Sequence, residues 1–249
     1  MHNGFLVMVL LCKEASYGFA FCSFIGLIPC SVPILFSTPM PLGSKAEPFN
    51  DPEWIFERKY DGFRALAVVE YGRSTLCSRN GHPFASFRDL ATRIGNVLMP
   101  RSLVMDGEIV CLDEHGHCQL SELLFRRGEP RFIAFDRLHA SGKDLRRERL
   151  LDRKHELRRV IGNGLPPIIF ADHIHESGIA LFVKLVNWTL EGIVALSIST
   201  RLTIPGKALG SRSGIRTIRR RLDARNYLSG TGTGSLFRGG TLALWHLQQ

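Results

Sequence analysis

Between residues 55 and 136 the apolar positions come in short β-branched and aromatic runs, each cut off by turn chemistry, and this limits the fold more than any other feature. The runs predict strands at 55–59, 65–70, 74–78, 103–105, 108–112 and 131–136, with two more at 168–172 and 192–196. Several are joined by short Gly-containing turns, such as Tyr71-Gly72 and the stretch 114–116. Turns that short connect antiparallel neighbours, because parallel ones need a crossover of a dozen or more residues. Helical periodicity is confined to 87–98, 146–161 and 178–188. In "RRERLLDRKHELRRVI" (146–161), Leu150, Leu157 and Ile161 fall near one face with charges opposite, and Gly162 is a fitting stop signal. Strands outnumber helices, so the pattern predicts an α+β domain with antiparallel sheets rather than a doubly wound sheet.

The two ends of the chain read differently from this middle. Residues 17–36, "YGFAFCSFIGLIPCSVPILF", hold no charge over a length that crosses a bilayer in principle, but Pro29 and Pro33 interrupt them and no basic residue precedes Lys13. A membrane anchor, a cleaved leader and translated upstream sequence outside the fold all remain open for 1–39. The last is preferred, because Met40 opens "MPLGSKAEPFNDPEW" and leads directly into the first strand. The domain proper is therefore expected over 40–196. From 197 to 249 Arg, Gly, Thr and Ser dominate without apolar periodicity, which reads as a basic, poorly structured or frame-shifted tail. Across 249 residues, 45% hydrophobic and 22% charged content excludes a disordered chain. A net charge of +9 points to a polyanionic partner, nucleic acid ahead of a membrane surface. Cys12, Cys22, Cys30, Cys77, Cys111 and Cys118 form no CxxC pair, which fits a reducing, cytoplasmic location.

The chemistry is concentrated at strand ends. In "FERKYDGFRALAVV" (56–69) a strand delivers Lys59 to an Asp61-Gly62 turn, with Arg64 just beyond it. Alternation puts Glu57, Lys59 and Asp61 on one side, Arg58 and Tyr60 on the other. Downstream, Asp106-Gly107-Glu108, then Phe135-Asp136, then Glu191 fall at the edges of further strands. A lysine, carboxylates and an aromatic ring gathered this way suit a nucleoside triphosphate: the ring stacks on the base, the carboxylates hold Mg²⁺, and the lysine attacks the α-phosphorus. An ordinary lysine, with a pKa near 10.4, is neutral about once in 2,500 molecules at pH 7, and bringing it near neutrality costs roughly 4 kcal/mol. Glu57 and Asp61 as close partners oppose that change, so both are expected to face other groups.

The stretches "KYDGFR" (59–64), "SRNG" (78–81), "DGEIV" (106–110), "FIAFD" (132–136) and "EGIV" (191–194) resemble, in order, the motifs of the covalent nucleotidyltransferases. The connecting text, "GEPRFIAFDRLHASGKDLRRERLLDRKHELRRVI" above all, is most similar to the adenylation domain of bacterial-type ATP-dependent DNA ligases. The resemblance covers roughly 40–196. It implies an α+β nucleotidyltransferase (ATP-grasp-like) fold, antiparallel sheets flanked by helices, and a DNA ligase acting in repair or recombination. It implies Lys59 as the nucleophile that forms lysyl-AMP. It further implies Glu57 beside adenine, Arg64 near the ribose, Arg79 on the nucleotide or nick phosphate, Phe135 on the base, Glu108 at the ribose or metal, and Glu191 as a metal ligand. ATP, Mg²⁺ or Mn²⁺, and nicked double-stranded DNA follow as cofactors and partner, with the protein a monomer.

The likeness breaks after Val194. The family reads EGIV-x-K, and Leu196 stands at that lysine. The two lysines of the next motif have as nearest counterparts Arg216 and Arg219 in "SGIRTIRRR", and no OB-fold-like series of strands follows. A change of reading frame near 196 accounts for both. These departures leave open a catalytically inactive remnant that binds ATP or DNA, and an RNA ligase or capping guanylyltransferase is the second enzyme alternative. "IPGKALG" lacks the features of a P-loop, and "GTGTG" (230–234) is not a dinucleotide fingerprint. His115, His117 and Cys118 read as a hairpin before a metal site, and His173 and His175 as ordinary surface residues.

Overall fold

The computed structural model describes residues 43–78, 80–187, 192–202 and 215–219. Its strands are β1 (Gly43–Ser44), β2 (Asn50–Arg58), β3 (Phe63–Glu70), β4 (Arg73–Cys77), β5 (Ser102–Cys111), β6 (Pro130–Ala140), β7 (Lys143–Asp144), β8 (Gly164–Leu165), β9 (Ile168–Phe170), β10 (His173–Ser177), β11 (Gly192–Ser197) and β12 (Ile215–Arg219). Its α-helices are α1 (Arg88–Val97), α2 (Leu120–Leu124), α3 (Leu150–Ile161) and α4 (Gly178–Asn187). The strands form two sheets. One has the order β1-β12-β11-β2-β10; the other runs β4-β3-β5-β6-β9-β8, with β7 beside β6. Pairings are antiparallel except β1 with β12 and β6 with β9. The α+β architecture read from the sequence is the one observed.

Each sheet has one face covered by helices. Ala65, Ala67 and Val69 of β3, with Leu103, Met105 and Ile109 of β5 and Phe132 and Ala134 of β6, pack under Leu90 and Ile94 of α1 and Leu157 and Ile161 of α3. In the other sheet Phe56, Ile193, Ala195 and Ile218 pack under Phe182 and Leu185 of α4. Because strand side chains alternate, the remaining residues must occupy the opposite faces. On the larger sheet these are Arg64, Asp106, Glu108, Val110, Ile133 and Phe135; on the smaller one, Glu57, Val194 and Thr217 in cross-strand register. Arg64, Glu108, Phe135 and Glu57, which the motifs singled out, thus fall on the faces opposite these apolar ones.

Some elements differ from expectation. β5 is one strand across Asp106-Gly107, where two were expected, and β10 was not anticipated. α3 begins at Leu150, because Glu148 and Arg146 are engaged in the turn that precedes it. The tail is not structureless throughout: β12 joins β11, opposing Ile215 to Leu196 and Thr217 to Val194. Its short run, Ile215 to Arg219, lacks period-two alternation and is placed by its pairing with β11. The rest of 197–249 beyond Leu202, and residues 1–39, lie outside the described residues. Among the described residues no helix is long and apolar enough to cross a membrane.

Candidate active site

Lys59 follows the last residue of β2, and its backbone N–H donates to the Gly192 carbonyl at 3.0 Å, so β11 fixes the level at which the strand ends. The turn that follows presses against β5. A Cβ on Gly62 would meet the Ile109 carbonyl and Val110, which explains glycine there without recourse to its torsion angles. Arg58 and Tyr60 project away from Glu57 as alternation requires, with the Arg58 guanidinium 4.9 Å from the Tyr60 ring centre. They meet the hairpin 113–118, where Arg58 Nη1 donates to the Gly116 carbonyl at 2.7 Å and the Asp61 N–H donates to Cys118 Sγ at 3.4 Å. Asp113 builds that hairpin by accepting the N–H groups of His115 and His117 on Oδ1 and the Gln119 amide on Oδ2. The His115–Cys118 segment is therefore a buttress for the lysine turn. Nothing in the sequence linked Cys118 to Asp61. Burial, chiefly, pushes the Tyr60 hydroxyl up to about 12.

On the larger sheet, Arg64 stands directly opposite Glu108 and diagonal to Asp106. Its guanidinium forks onto Asp106, with Nε on Oδ1 at 2.7 Å and Nη2 on Oδ2. The bidentate pairing fixes the plane of the fork. The same guanidinium lies 4.8 Å from the Phe135 ring centre, and the Tyr60 ring lies 6.2 Å from Phe135. Phe135 is half-buried, Glu108 likewise, so both keep a face toward solvent. Gly107 separates Asp106 from Glu108 at a register shift in the β5–β6 pairing, and a Cβ there would meet the Ile133 carbonyl and the Phe132 ring. Such irregularities re-aim side chains beside sites. Asp106, which the sequence reading left without a role, is the residue that orients Arg64.

Glu57 is engaged from α3. Its carboxylate Oε1 accepts from Lys154 Nζ at 2.8 Å, and the Lys154 side chain is wholly buried. Burial chiefly raises the Glu57 pKa, and Lys154 offsets part of that effect. The neighbouring Arg153, also wholly buried, holds Asp136 through Nε at 2.9 Å and Nη2 at 2.7 Å, and gives Nη1 to the Glu148 and Thr200 carbonyls. Burial of ions is tolerated where every donor is used. Periodicity had marked these two residues merely as part of a charged face of α3, and that reading is corrected. His173, expected at the surface, stands in register with Glu57 on β10; burial above all, and then Lys154, lower its pKa to about 4. Asp61 is exposed.

Arg79 and Glu191 lie outside the described residues, as does the side chain of Arg219. Leu196 sits on β11 between Ile55 and Ile215, and Arg216 is on β12. Among the described residues no group of three or more His, Cys, Asp or Glu side chains could hold a metal by itself. One hard carboxylate oxygen donor, Glu108, beside Arg64 suits Mg²⁺, which binds through one or two carboxylates and the phosphates of its nucleotide.

Comparison with known proteins agrees with this arrangement. A family model described as the ATP dependent DNA ligase domain matches residues 41–203. The chain is 30% identical over 187 residues to the multifunctional non-homologous end joining protein LigD of Pseudomonas aeruginosa, covering 70% of this chain and 21% of that one. It is 33% identical over 201 residues to the bifunctional LigD of Bacillus subtilis, covering 68% and 31%. The chain thus spans about a fifth to a third of the length of these curated relatives. Among solved structures, the ligase domain of Mycobacterium tuberculosis LigD has the same fold, with a TM-score of 0.61 at 24% identity over 71% of this chain and 58% of that one.

Proposed function

Because the chain belongs to the ATP-dependent DNA ligase family, we propose that it is a ligase adenylation domain in which Lys59 takes AMP from ATP for the sealing of nicks in DNA. The observation that carries this reading is the gathering of Arg64, Glu108, Phe135 and Glu57 on the sheet faces opposite the apolar cores, with the Lys59 turn at the end of β2. Phe135 offers its ring to the base and Glu57 an acceptor to the base edge. Arg64, held flat by Asp106, faces the ribose, and Arg79 the phosphates. Mg²⁺, held by Glu108 and Glu191, would supply charge neutralisation at the phosphates.

The neutral Lys59 amine forms a bond to the α-phosphorus while the bond to the bridging β-phosphate oxygen breaks, releasing pyrophosphate and leaving AMP on Nζ. The Glu57 carboxylate two residues upstream is engaged by Lys154. The 5′-phosphate of a nick then displaces Lys59 and takes AMP, and the 3′-hydroxyl attacks that phosphate, expels AMP and closes the strand. The end-joining names of the relatives support a role in break repair, and a DNA-associated cytoplasmic location and a monomer belong to the same proposal.

Incubation with ATP and Mg²⁺ followed by mass spectrometry tests the reading: an AMP adduct on Lys59 is expected, absent in Lys59→Arg, whose fold should be unchanged. Labelling that persists in that variant overturns the assignment of the nucleophile. A GMP adduct in place of AMP would favour the capping alternative. Leu196 carries a second reading. An aliphatic side chain where the family has lysine removes a charge for the phosphates, so a protein that binds ATP yet forms no adduct would be an inactive remnant.

A further inference from the structure

Lys154 is a wholly enclosed cation beside the site, and all three of its N–H donors are used. Nζ donates to Glu57 Oε1 at 2.8 Å, to the Phe135 carbonyl at 2.8 Å and to the Ala171 carbonyl at 3.1 Å. An ammonium has three donors and no more, so three acceptors fix its position without slack. The acceptors come from different elements: β2 of the smaller sheet, β6 of the larger, and the residue after β9. One buried amine therefore ties the strand that delivers Lys59 to the strand that presents Phe135.

We propose that Lys154 is a positioning residue for base selection: its ammonium fixes the Glu57 carboxylate as an acceptor at the base edge, and so makes the site take adenine over guanine. This rests on the reading above, in which Glu57 meets the base. Adenine carries an amino donor at its six-position and guanine a carbonyl acceptor. A carboxylate accepts from the first and repels the second; a protonated acid donates to the carbonyl and reverses the preference. Which form Glu57 takes depends on its surroundings. Lys154 is its paired cation, with Arg64 a further positive group on β3 and Asp136 a negative one on β6. Tyr60 lies on the same chain segment, Val194 of β11 is uncharged, and His173 of β10 is neutral well above its pKa of about 4. Asp172 is engaged by Arg158 at 3.1 Å, and His155 is a further ionisable group acting on His173. Without Lys154, desolvation dominates and Glu57 takes up a proton.

The test measures equilibrium affinities for ATP and GTP across about pH 7 to about pH 9, which needs no turnover. Wild type should prefer ATP throughout. Lys154→Met should lose at least about tenfold of that preference at pH 7, the worth of a hydrogen bond to a charged group. The preference should return as pH rises and Glu57 ionises, because burial holds its carboxyl above the ordinary carboxylate range. A merely structural role for Lys154 would weaken both nucleotides alike at every pH, and that result overturns the proposal. Should Lys154→Met not fold, the isosteric, charge-free pair Lys154→Met with Glu57→Gln decides. It should match Glu57→Gln alone, and any further loss of discrimination overturns the proposal. Glu57→Gln that keeps the wild-type ATP preference removes the base contact itself, and with it both the reading and the inference. Lys154→Met keeping full preference beside a Glu57→Gln that loses it sinks the inference alone.

Discussion

At the scale of single residues, the side chains of the motifs were legible because each is written next to its turn or strand. Lys59 before Asp61-Gly62 and Glu108 after Gly107 need only alternation and turn chemistry to place. Lys154, Cys118 and His173 were not legible. Each acts through a partner far along the chain, Glu57 or Asp61, and no local pattern encodes that pairing. His173 gives a prediction of its own. Its pKa is depressed from 6.5 to about 4, first by burial and then by Lys154, so the unfolded chain binds a proton that the folded one refuses between these values. Stability contributed by neutral His173 is then full above about pH 6.5 and is lost as pH falls toward 4. The loss amounts to at most roughly 3 kcal/mol. Urea unfolding at a series of pH values checks this. His173→Gln should flatten the acid limb by that amount, and an unchanged limb would show that other groups govern it.

At the scale of elements, the strands with strong β-branched runs were located within a few residues, whereas β10 and β12 were missed for different reasons. β10 carries two histidines and a glutamate in five residues, and it is a strand because β2 offers it an edge, not because of its propensity. In β12, Ile218 is wholly buried under α4 with Phe56 and Ile193, while the arginines around it pull the composition toward a solvated tail. One buried isoleucine outweighs that composition. Ile218→Ala should therefore cost about 2–5 kcal/mol, as removal of a large aliphatic side chain from a packed core does. The readout is the urea midpoint at unchanged slope. A variant as stable as the wild type would place β12 outside the sheet, and with it the argument that the sheet continues past Leu196.

At the scale of the whole molecule, two sheets that each give one face to helices leave two faces for chemistry, and Lys154 links the strands at their border. On the proposed function, the net charge of +9 would act on a different partner from the nucleotide inside the site. Phosphates of a duplex are met at the surface, so neutralising them releases counterions, and log affinity falls with log salt by about 0.9 per phosphate. Six or more such contacts would cost roughly a thousandfold in affinity for nicked duplex between about 50 and about 200 mM salt. If ATP is held as proposed, by half-buried Phe135 and buried Glu57 as well as by its phosphates, its affinity should fall far less over the same range, since enclosed interactions are weakly screened. Filter binding on a nicked duplex beside ATP titration separates the two. Deleting residues 220–249 removes Arg220, Arg221, Arg225 and Arg238, and the salt slope for DNA should become shallower by as many contacts as these four make. A slope unchanged by the deletion assigns the phosphate contacts to the folded domain, and a salt-independent affinity would mean that the positive charge does not serve DNA at all.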